Sequence, residues 1–266
     1  MSAAICTAAL APVLQEPGVH GGLETQLVCG ETAAVVRQDG AWLRLRLHQD
    51  GAEGWVHEGY LRLATEGEAE RWRTRAAWSE GALLQMGTTR HWLPLRARVV
   101  LADGEVELPD GRLGRLTHGR IRATARAQAD ARQLPPEEWA RTIFAGAPYL
   151  WGGVTPHGVD CSGLVQTTWM ARGVQLPRQA ADQALVGAEV PFAVMRAGDL
   201  LCFRDGHGDA ITHVGVAGPD STLVHAALAA GGVVVQSWLP GQPAAALLAR
   251  LATVRRLDGL EASAHA

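Results

Sequence analysis

The sequence predicts an α+β domain preceded by two small all-β barrels, and three observations carry that expectation. Short alternating apolar segments broken by Gly-containing turns run from Val13 to Leu116; one strong helix start stands at Asp160; and β-branched alternation returns between 198 and 256. With 266 residues, 47% hydrophobic and 19% charged, the chain can fill two or three small cores and does not have the composition of a disordered one. Nine Trp against two Tyr and three Phe leave tryptophan to carry the aromatic packing.

A net charge of −3, with no Lys/Arg run longer than a pair, argues against an electrostatic partnership with nucleic acid or a membrane surface. The four cysteines, Cys6, Cys29, Cys161 and Cys202, show neither a C-x-x-C pair nor a framework spacing, so they are expected to be reduced. Residues 1–15 are apolar but lack a basic leading region and are interrupted by Pro12; no stretch approaches the ~20 apolar residues of a membrane span. The expectation is a protein that starts at Met1 and stays in the cytoplasm.

In order along the chain, Leu27–Cys29, Ala33–Arg37, Trp42–Leu47 and Gly54–His57 read as strands, with Asp39-Gly40 and Asp50-Gly51 as hairpin dipeptides between them. Residues 65–75 are charged and read as a linker or an edge strand. From 89 to 116 the strand-turn rhythm returns, with turns at Ala102-Asp103-Gly104 and Pro109-Asp110-Gly111. One irregular β domain over 10–120 is the alternative to two modules. Residues 122–134, rich in Ala and Arg, form a solvated helix or an extended connector. Pro135-Pro136-Glu137-Glu138 then opens a helix with proline in the first turn and acids at the positive dipole end. Trp139, Ile143 and Phe144 supply its buried face, and Gly146 ends it.

The stretch 148–166, PYLWGGVTPHGVDCSGLVQ, comes next. Asp160 is a good N-cap; Leu164, Val165, Thr168 and Trp169 trace an apolar stripe; Gly173 stands where a C-terminal cap belongs, so the helix starts at Cys161 and runs about three turns. A thiol at a helix N-terminus lies in the positive end of the macrodipole among unpaired backbone N–H groups, which favour thiolate and can cradle an oxyanion. The alternative for Cys161 is a small buried hydrophobe. Downstream, ITHVGVAG places His213 in an alternating segment and TLVHAA places His225 in a second one. A cysteine facing two histidines on adjacent strands is the arrangement of nucleophile, base and orienting group. Zinc is the competing use of Cys161, Cys202, His207, His213 and His225, but none has paired ligand spacing, and no metal or cofactor is expected.

These residues resemble the NlpC/P60 family of papain-like cysteine peptidases. The resemblance rests on Tyr149, Trp151-Gly152-Gly153, Asp160-Cys161-Ser162-Gly163-Leu164, Pro177-Arg178, Ala197-Gly198-Asp199-Leu200, His213-Val214-Gly215 and His225-Ala226, and covers roughly the last half of the chain. In front, Glu24-Thr25-Gln26, Gly30-Glu31, Trp42 and Gly54-Trp55-Val56 resemble a bacterial SH3-like (SH3b) domain, and 89–116 resembles a second, degenerate one. The organisation expected is an SH3b-like domain over 1–64, a second over 65–121, and an α+β papain-like catalytic domain over 122–266.

The resemblance implies Cys161 as nucleophile, His213 as general base and later acid, and His225 as the group orienting His213. It implies an oxyanion site from the Cys161 N–H and the Tyr149 hydroxyl, and Asp160 with Ser162 holding a substrate's free α-amino group. Its implied reaction is hydrolysis of the bond between γ-D-glutamate and a diamino acid in murein peptides bearing a free N-terminal L-alanine, in cell-wall recycling, with the barrels closing one end of the groove. Two departures stand out. Gln179-Ala180 succeeds Pro177-Arg178 where the family shows a pair such as Asp-Ser, leaving Arg178 available for a substrate carboxylate. Ala52-Glu53 stands where related modules carry an aromatic before Gly-Trp, which makes Tyr60 a candidate groove wall and Glu24 a candidate partner of the substrate amine. A wall-binding protein with a vestigial catalytic domain, and an amidase or acyltransferase on another amide, are the other readings.

Overall fold

The computed structural model describes residues 2–206 and 208–260, so His207 and the tail 261–266 lie outside the described residues. Contacts divide the chain into two compact units, Met1–Ala127 and Gln128–Ala266. Among the described residues no helix is long and apolar enough to cross a membrane.

The first unit opens with strands β1 (Ser2–Cys6), β2 (Leu10–Leu14), β3 (Leu23–Val28), β4 (Thr32–Asp39), β5 (Trp42–Leu47), β6 (Glu53–His57) and β7 (Leu61–Thr65). They form an antiparallel sheet in the order β3-β2-β6-β5-β4-β1-β7. Strand β5 shows how the pattern sets the sheet's faces: Leu43, Leu45 and Leu47 alternate with arginines and bury against Val13, Leu27 and Val56. The Asp39-Gly40 and Asp50-Gly51 dipeptides turn β4 into β5 and β5 into β6 as expected.

Residues 66–75 differ from expectation. They are a helix, α1 (Glu66–Arg75), because Thr65 and Glu68 form a reciprocal capping box: the Glu68 N–H donates to Thr65 Oγ1 at 3.2 Å, and Glu68 Oε2 accepts the Thr65 N–H at 2.7 Å. Two acids in the first turn and two arginines in the last complement the dipole. The charge run is therefore the solvated face of a helix, and Trp72 is its buried one, packed on Ile5 and Val100 with Nε1 donating to the Gly30 carbonyl at 2.9 Å.

Strands β8 (Ala77–Met86), β9 (Thr89–Ala102), β10 (Glu105–Glu107) and β11 (Leu113–Ala123) complete the unit and close into a barrel in the order β10-β11-β8-β9. Its first strand lies upstream of the segment in which the turn rhythm is legible. The loop after β3 docks on β9: the Arg98 N–H donates to the Cys29 carbonyl at 2.7 Å, and a Cβ on Gly30, at φ +77°, would lie 1.7 Å from the Arg98 carbonyl oxygen. Only glycine fits there. Beside it, Arg96 Nε donates to Glu31 Oε1 at 2.7 Å with side chains 1% and 3% exposed. Glu31 Oε2 also accepts the Val28 N–H at 2.9 Å and Gln49 Nε2 at 3.2 Å, so the buried carboxylate is fully engaged.

The connector 124–131 is helical, α2 (Thr124–Ala131), and leads to α3 (Pro136–Ile143), which starts on its prolines. Trp139, Ala140 and Phe144 are buried; Ile143, expected with them, is only half-buried. A short hairpin of β12 (Val154–Thr155) and β13 (Gly158–Val159) then delivers the chain to α4 (Cys161–Met170). After α5 (Ala180–Gln183) come β14 (Ala188–Glu189), β15 (Leu200–Arg204), β16 (Ile211–Gly218), β17 (Thr222–Ala227), β18 (Gly232–Ser237), α6 (Ala245–Leu248) and β19 (Leu251–Arg256). The six strands pair antiparallel in the order β14-β19-β15-β16-β17-β18, which is the sheet expected from 198–256 with one short strand added at its edge.

Helix α4 is buried at every position rather than along one stripe. It packs through Val165 and Trp169 on Leu200, Cys202, Val214 and Val216, while the opposite sheet face carries a second cluster of Leu201, Phe203, Ala217, Leu223 and Trp238. The helix therefore lies in the middle of its unit, with its first residue held by sheet on one side and loop on the other. The four cysteines are free and buried.

Removing one partner of the Glu31–Arg96 pair leaves a buried charge unpaired, which costs about 3–5 kcal/mol, whereas replacing both by apolar residues of similar size is close to neutral. Glu31→Ala is expected to lose stability in that range in urea denaturation, and Glu31→Leu combined with Arg96→Met to recover only part of it, because the buried Val28 N–H still lacks its acceptor.

Candidate active site

The site is built around the first turn of α4. Asp160 caps the helix in extended backbone, with Oδ1 accepting the Gly163 N–H at 2.7 Å and the Ser162 hydroxyl at 3.3 Å. Its other oxygen, Oδ2, accepts the Gly152 N–H at 2.7 Å and Arg178 Nη2 at 2.6 Å. One carboxylate thus joins the Trp151-Gly152-Gly153 loop, the start of the helix and the Pro177-Arg178 segment. The approach is close: a Cβ on Gly163 would lie 2.1 Å from the Gly153 carbonyl oxygen.

Arg178, read from sequence as available for a substrate carboxylate, is 3% exposed and holds Ser162 Oγ at 2.7 Å and Asp160 in an ion pair. Asp160 and Ser162, expected to receive a substrate amine, are buried in that same cluster. Gln183, on α5, extends it by donating to the Ser162 carbonyl at 3.0 Å and the Pro177 carbonyl at 2.8 Å. Gln179 is the cap position of α5, without a side-chain cap bond, and Ala180 is its first residue; the helix presents Gln183 to the nucleophile's neighbour.

Cys161 sits at the first helical position, with Sγ 3.9 Å from the Thr212 carbonyl oxygen, directly before His213 on β16. His213 Nε2 lies 2.8 Å from His225 Nδ1, and the rings meet edge to face at 5.1 Å and 74°. His225 Nε2 in turn lies 3.1 Å from Gln236 Oε1 on β18. Phe203 backs His213 with ring centroids 5.9 Å apart. The ring nitrogens are thus linked in order from His213 through His225 to Gln236.

Burial governs the charges here. It pushes the Cys161 thiol up to about 11, with the Asp160 carboxylate acting in the same direction, against the weaker lowering by the backbone of Val214 and Ser162. The buried thiol is therefore held above its ordinary value rather than lowered toward thiolate as the helix start alone predicts. Burial likewise pushes His213 down to about 3, assisted by His225 and Arg250, and lowers His225. Tyr149 is pushed up to about 12 by burial and then by Cys161 and Asp160, which places its phenol in the electrostatic range of the thiol. Its backbone N–H is held by the Gly231 carbonyl at 2.8 Å. Thiol, imidazoles and phenol are all neutral at neutral pH.

The structure thus brings together Tyr149, Asp160, Cys161, Ser162, Arg178, His213 and His225 in one unit. Glu24 and Tyr60 belong to the other unit, where Glu24 Oε2 accepts Gln15 Nε2 at 3.1 Å and the Tyr60 carbonyl accepts the Thr7 N–H at 2.9 Å and hydroxyl at 3.0 Å. The zinc alternative involves His207, outside the described residues. Gln183 and Gln236 were not legible as site residues: each is an isolated glutamine in an ordinary helix or strand pattern, and only the pairing of elements brings it to the site.

Residues 146–247 match the model of the NlpC/P60 family, and residues 13–61 match that of a bacterial dipeptidyl-peptidase SH3 domain. A gamma-D-glutamyl-L-lysine dipeptidyl-peptidase of Bacillus subtilis is 46% identical over 85 residues, which span 31% of this chain and 28% of that protein. A protein of the same name from Bacillus cereus is 26% identical over 229 residues, covering 76% of this chain and 67% of its own. The crystal structure of an NlpC/P60 family protein from Bacillus cereus shares the fold, with a TM-score of 0.79 at 21% identity over 96% of this chain and 99% of that one.

A thiol held near 11 has its thiolate fraction rise about tenfold per pH unit up to that value. Alkylation of Cys161 by iodoacetamide is therefore expected to keep accelerating through pH 9–10 in the folded protein, where a preformed thiolate would react at a pH-independent rate from neutral pH upward; mass spectrometry of the labelled peptide reads the difference.

Proposed function

We propose, for a chain that carries an NlpC/P60 domain behind a bacterial SH3 domain, a cysteine peptidase that hydrolyses the γ-D-glutamyl–diamino acid bond of murein peptides with a free N-terminal L-Ala, in cytoplasmic recycling of wall peptides. The observation that carries it is Cys161 at the start of a buried helix against β16, whose next residue, His213, is bonded to His225 at 2.8 Å. The bond class is supported by the names of the two Bacillus relatives.

In this reading Cys161 Sγ attacks the amide carbonyl while its proton passes to His213 Nδ1. Because thiol and imidazole are both neutral at rest, transfer accompanies C–S bond formation rather than preceding it. The developing oxyanion is met by the Cys161 N–H and by the Tyr149 hydroxyl, which its raised pKa keeps protonated as a donor. His213, now imidazolium, returns the proton to the leaving amine as the C–N bond breaks; water then resolves the thioester, giving its proton to His213, and the thiol is restored. Asp160 and Arg178 act beneath this chemistry by fixing the first turn of α4, and Arg178 does so with both of its terminal nitrogens.

Incubation with L-Ala-γ-D-Glu-diamino acid peptide is expected to release L-Ala-γ-D-Glu, read by mass spectrometry, with an N-acetylated peptide left intact and Cys161→Ala slower by about 10⁴-fold or more. Cleavage of both peptides would remove the amine requirement; cleavage of neither, with Cys161 still open to alkylation, would remove the murein substrate and favour acyl transfer to another acceptor.

A further inference from the structure

Resting on the peptidase reading above, we propose that Gln236 is a positioning residue that sets the tautomer of His213 through His225. An amide oxygen can only accept, so Gln236 Oε1 at 3.1 Å calls for a proton on His225 Nε2. A neutral His225 protonated there has its lone pair on Nδ1, which accepts the Nε2–H of His213 at 2.8 Å. A neutral His213 protonated on Nε2 has its lone pair on Nδ1, the nitrogen to which the peptidase reading assigns the Cys161 proton. The three links therefore run in one direction and end in a base. Turning the amide so that its nitrogen faced His225 would reverse every link and place a proton on His213 Nδ1.

The sheet register explains how Gln236 comes to be there. Strand β18 pairs antiparallel with β17, with Gln236 opposite Leu223 and Val234 opposite His225, so Gln236 stands diagonal to His225 on the same face. The half-buried strand gives the amide a fixed place without sealing it off. Burial keeps both imidazoles neutral, Arg250 acts on His213 in the same direction, and Gln236 acts oppositely on His225, as an acceptor does. Since His225 and Gln236 are both uncharged at neutral pH, what they supply is orientation.

The test uses the full-length protein with ¹⁵N-labelled histidine and long-range ¹H–¹⁵N spectra of the ring nitrogens at pH 7, assigned with His213→Gln and His225→Gln. The wild type is expected to show both rings protonated on Nε2. Gln236→Leu is expected to mix the tautomers and to lower kcat about three- to tenfold at unchanged KM, the weight of one hydrogen bond. Gln236→Glu, which can only accept, is expected to restore the Nε2–H pattern and the rate. A wild-type His213 protonated on Nδ1 overturns the proposal, as does a Gln236→Leu protein with unchanged ring spectra or unchanged kcat. The ring spectra need no substrate: failure of the wild type to cut the murein peptide counts against the substrate alone, while the nitrogen shifts still decide the role of Gln236. Should Gln236→Leu not fold, the wild-type and Gln236→Glu spectra carry the decision.

Discussion

Four hydrogen bonds to a single buried carboxylate hold the parts of the candidate site in register. Asp160 is at once a helix cap, the anchor of the glycine loop and the counter-charge of Arg178. Each of those roles alone is ordinary; combined, they fix the backbone on both sides of Cys161. The carboxylate also works against the chemistry, because its charge opposes ionisation of the neighbouring thiol. Arg178, paired with Asp160, acts weakly in the opposite direction on the thiol.

The first unit is tied together in a comparable way. Gly30 lets the loop after β3 touch β9, Trp72 reaches the same loop from α1, and the Glu31–Arg96 pair lies alongside. Three different kinds of contact, a steric one, an indole hydrogen bond and a buried ion pair, meet within two adjacent residues. That convergence accounts for the two β modules clustering as one compact unit although each has its own sheet.

Much of this was legible in the sequence where local chemistry decides structure. Asp160 and Gly173 bound α4 as their capping preferences require, and the Asp-Gly dipeptides mark real hairpins. The alternating segments around His213 and His225 lie in one antiparallel sheet. The features that were not legible depend on tertiary placement or on a signal hidden by composition. The capping box of α1 lies inside a run of charge that reads equally as linker. The thiol's environment could not be seen either: a helix start alone favours thiolate, and only the packing of α4 against Cys202 and Val214 shows that desolvation prevails. Arg178 and Gln183 are polar residues beside a motif, and sequence does not say whether they point at substrate or at the protein.

The neutral resting thiol has a consequence for durability. Peroxide and other oxidants attack cysteine as the thiolate, and both exposure and thiolate character set how fast the sulfur climbs from sulfenic to sulfonic acid. Cys161 offers little of either, at 6% exposure and with its proton held to about 11. At neutral pH the thiolate, the form that oxidants attack, is therefore the minor form of Cys161. A thiol kept in this way is, at neutral pH, a slow target for peroxide and for small soft electrophiles alike.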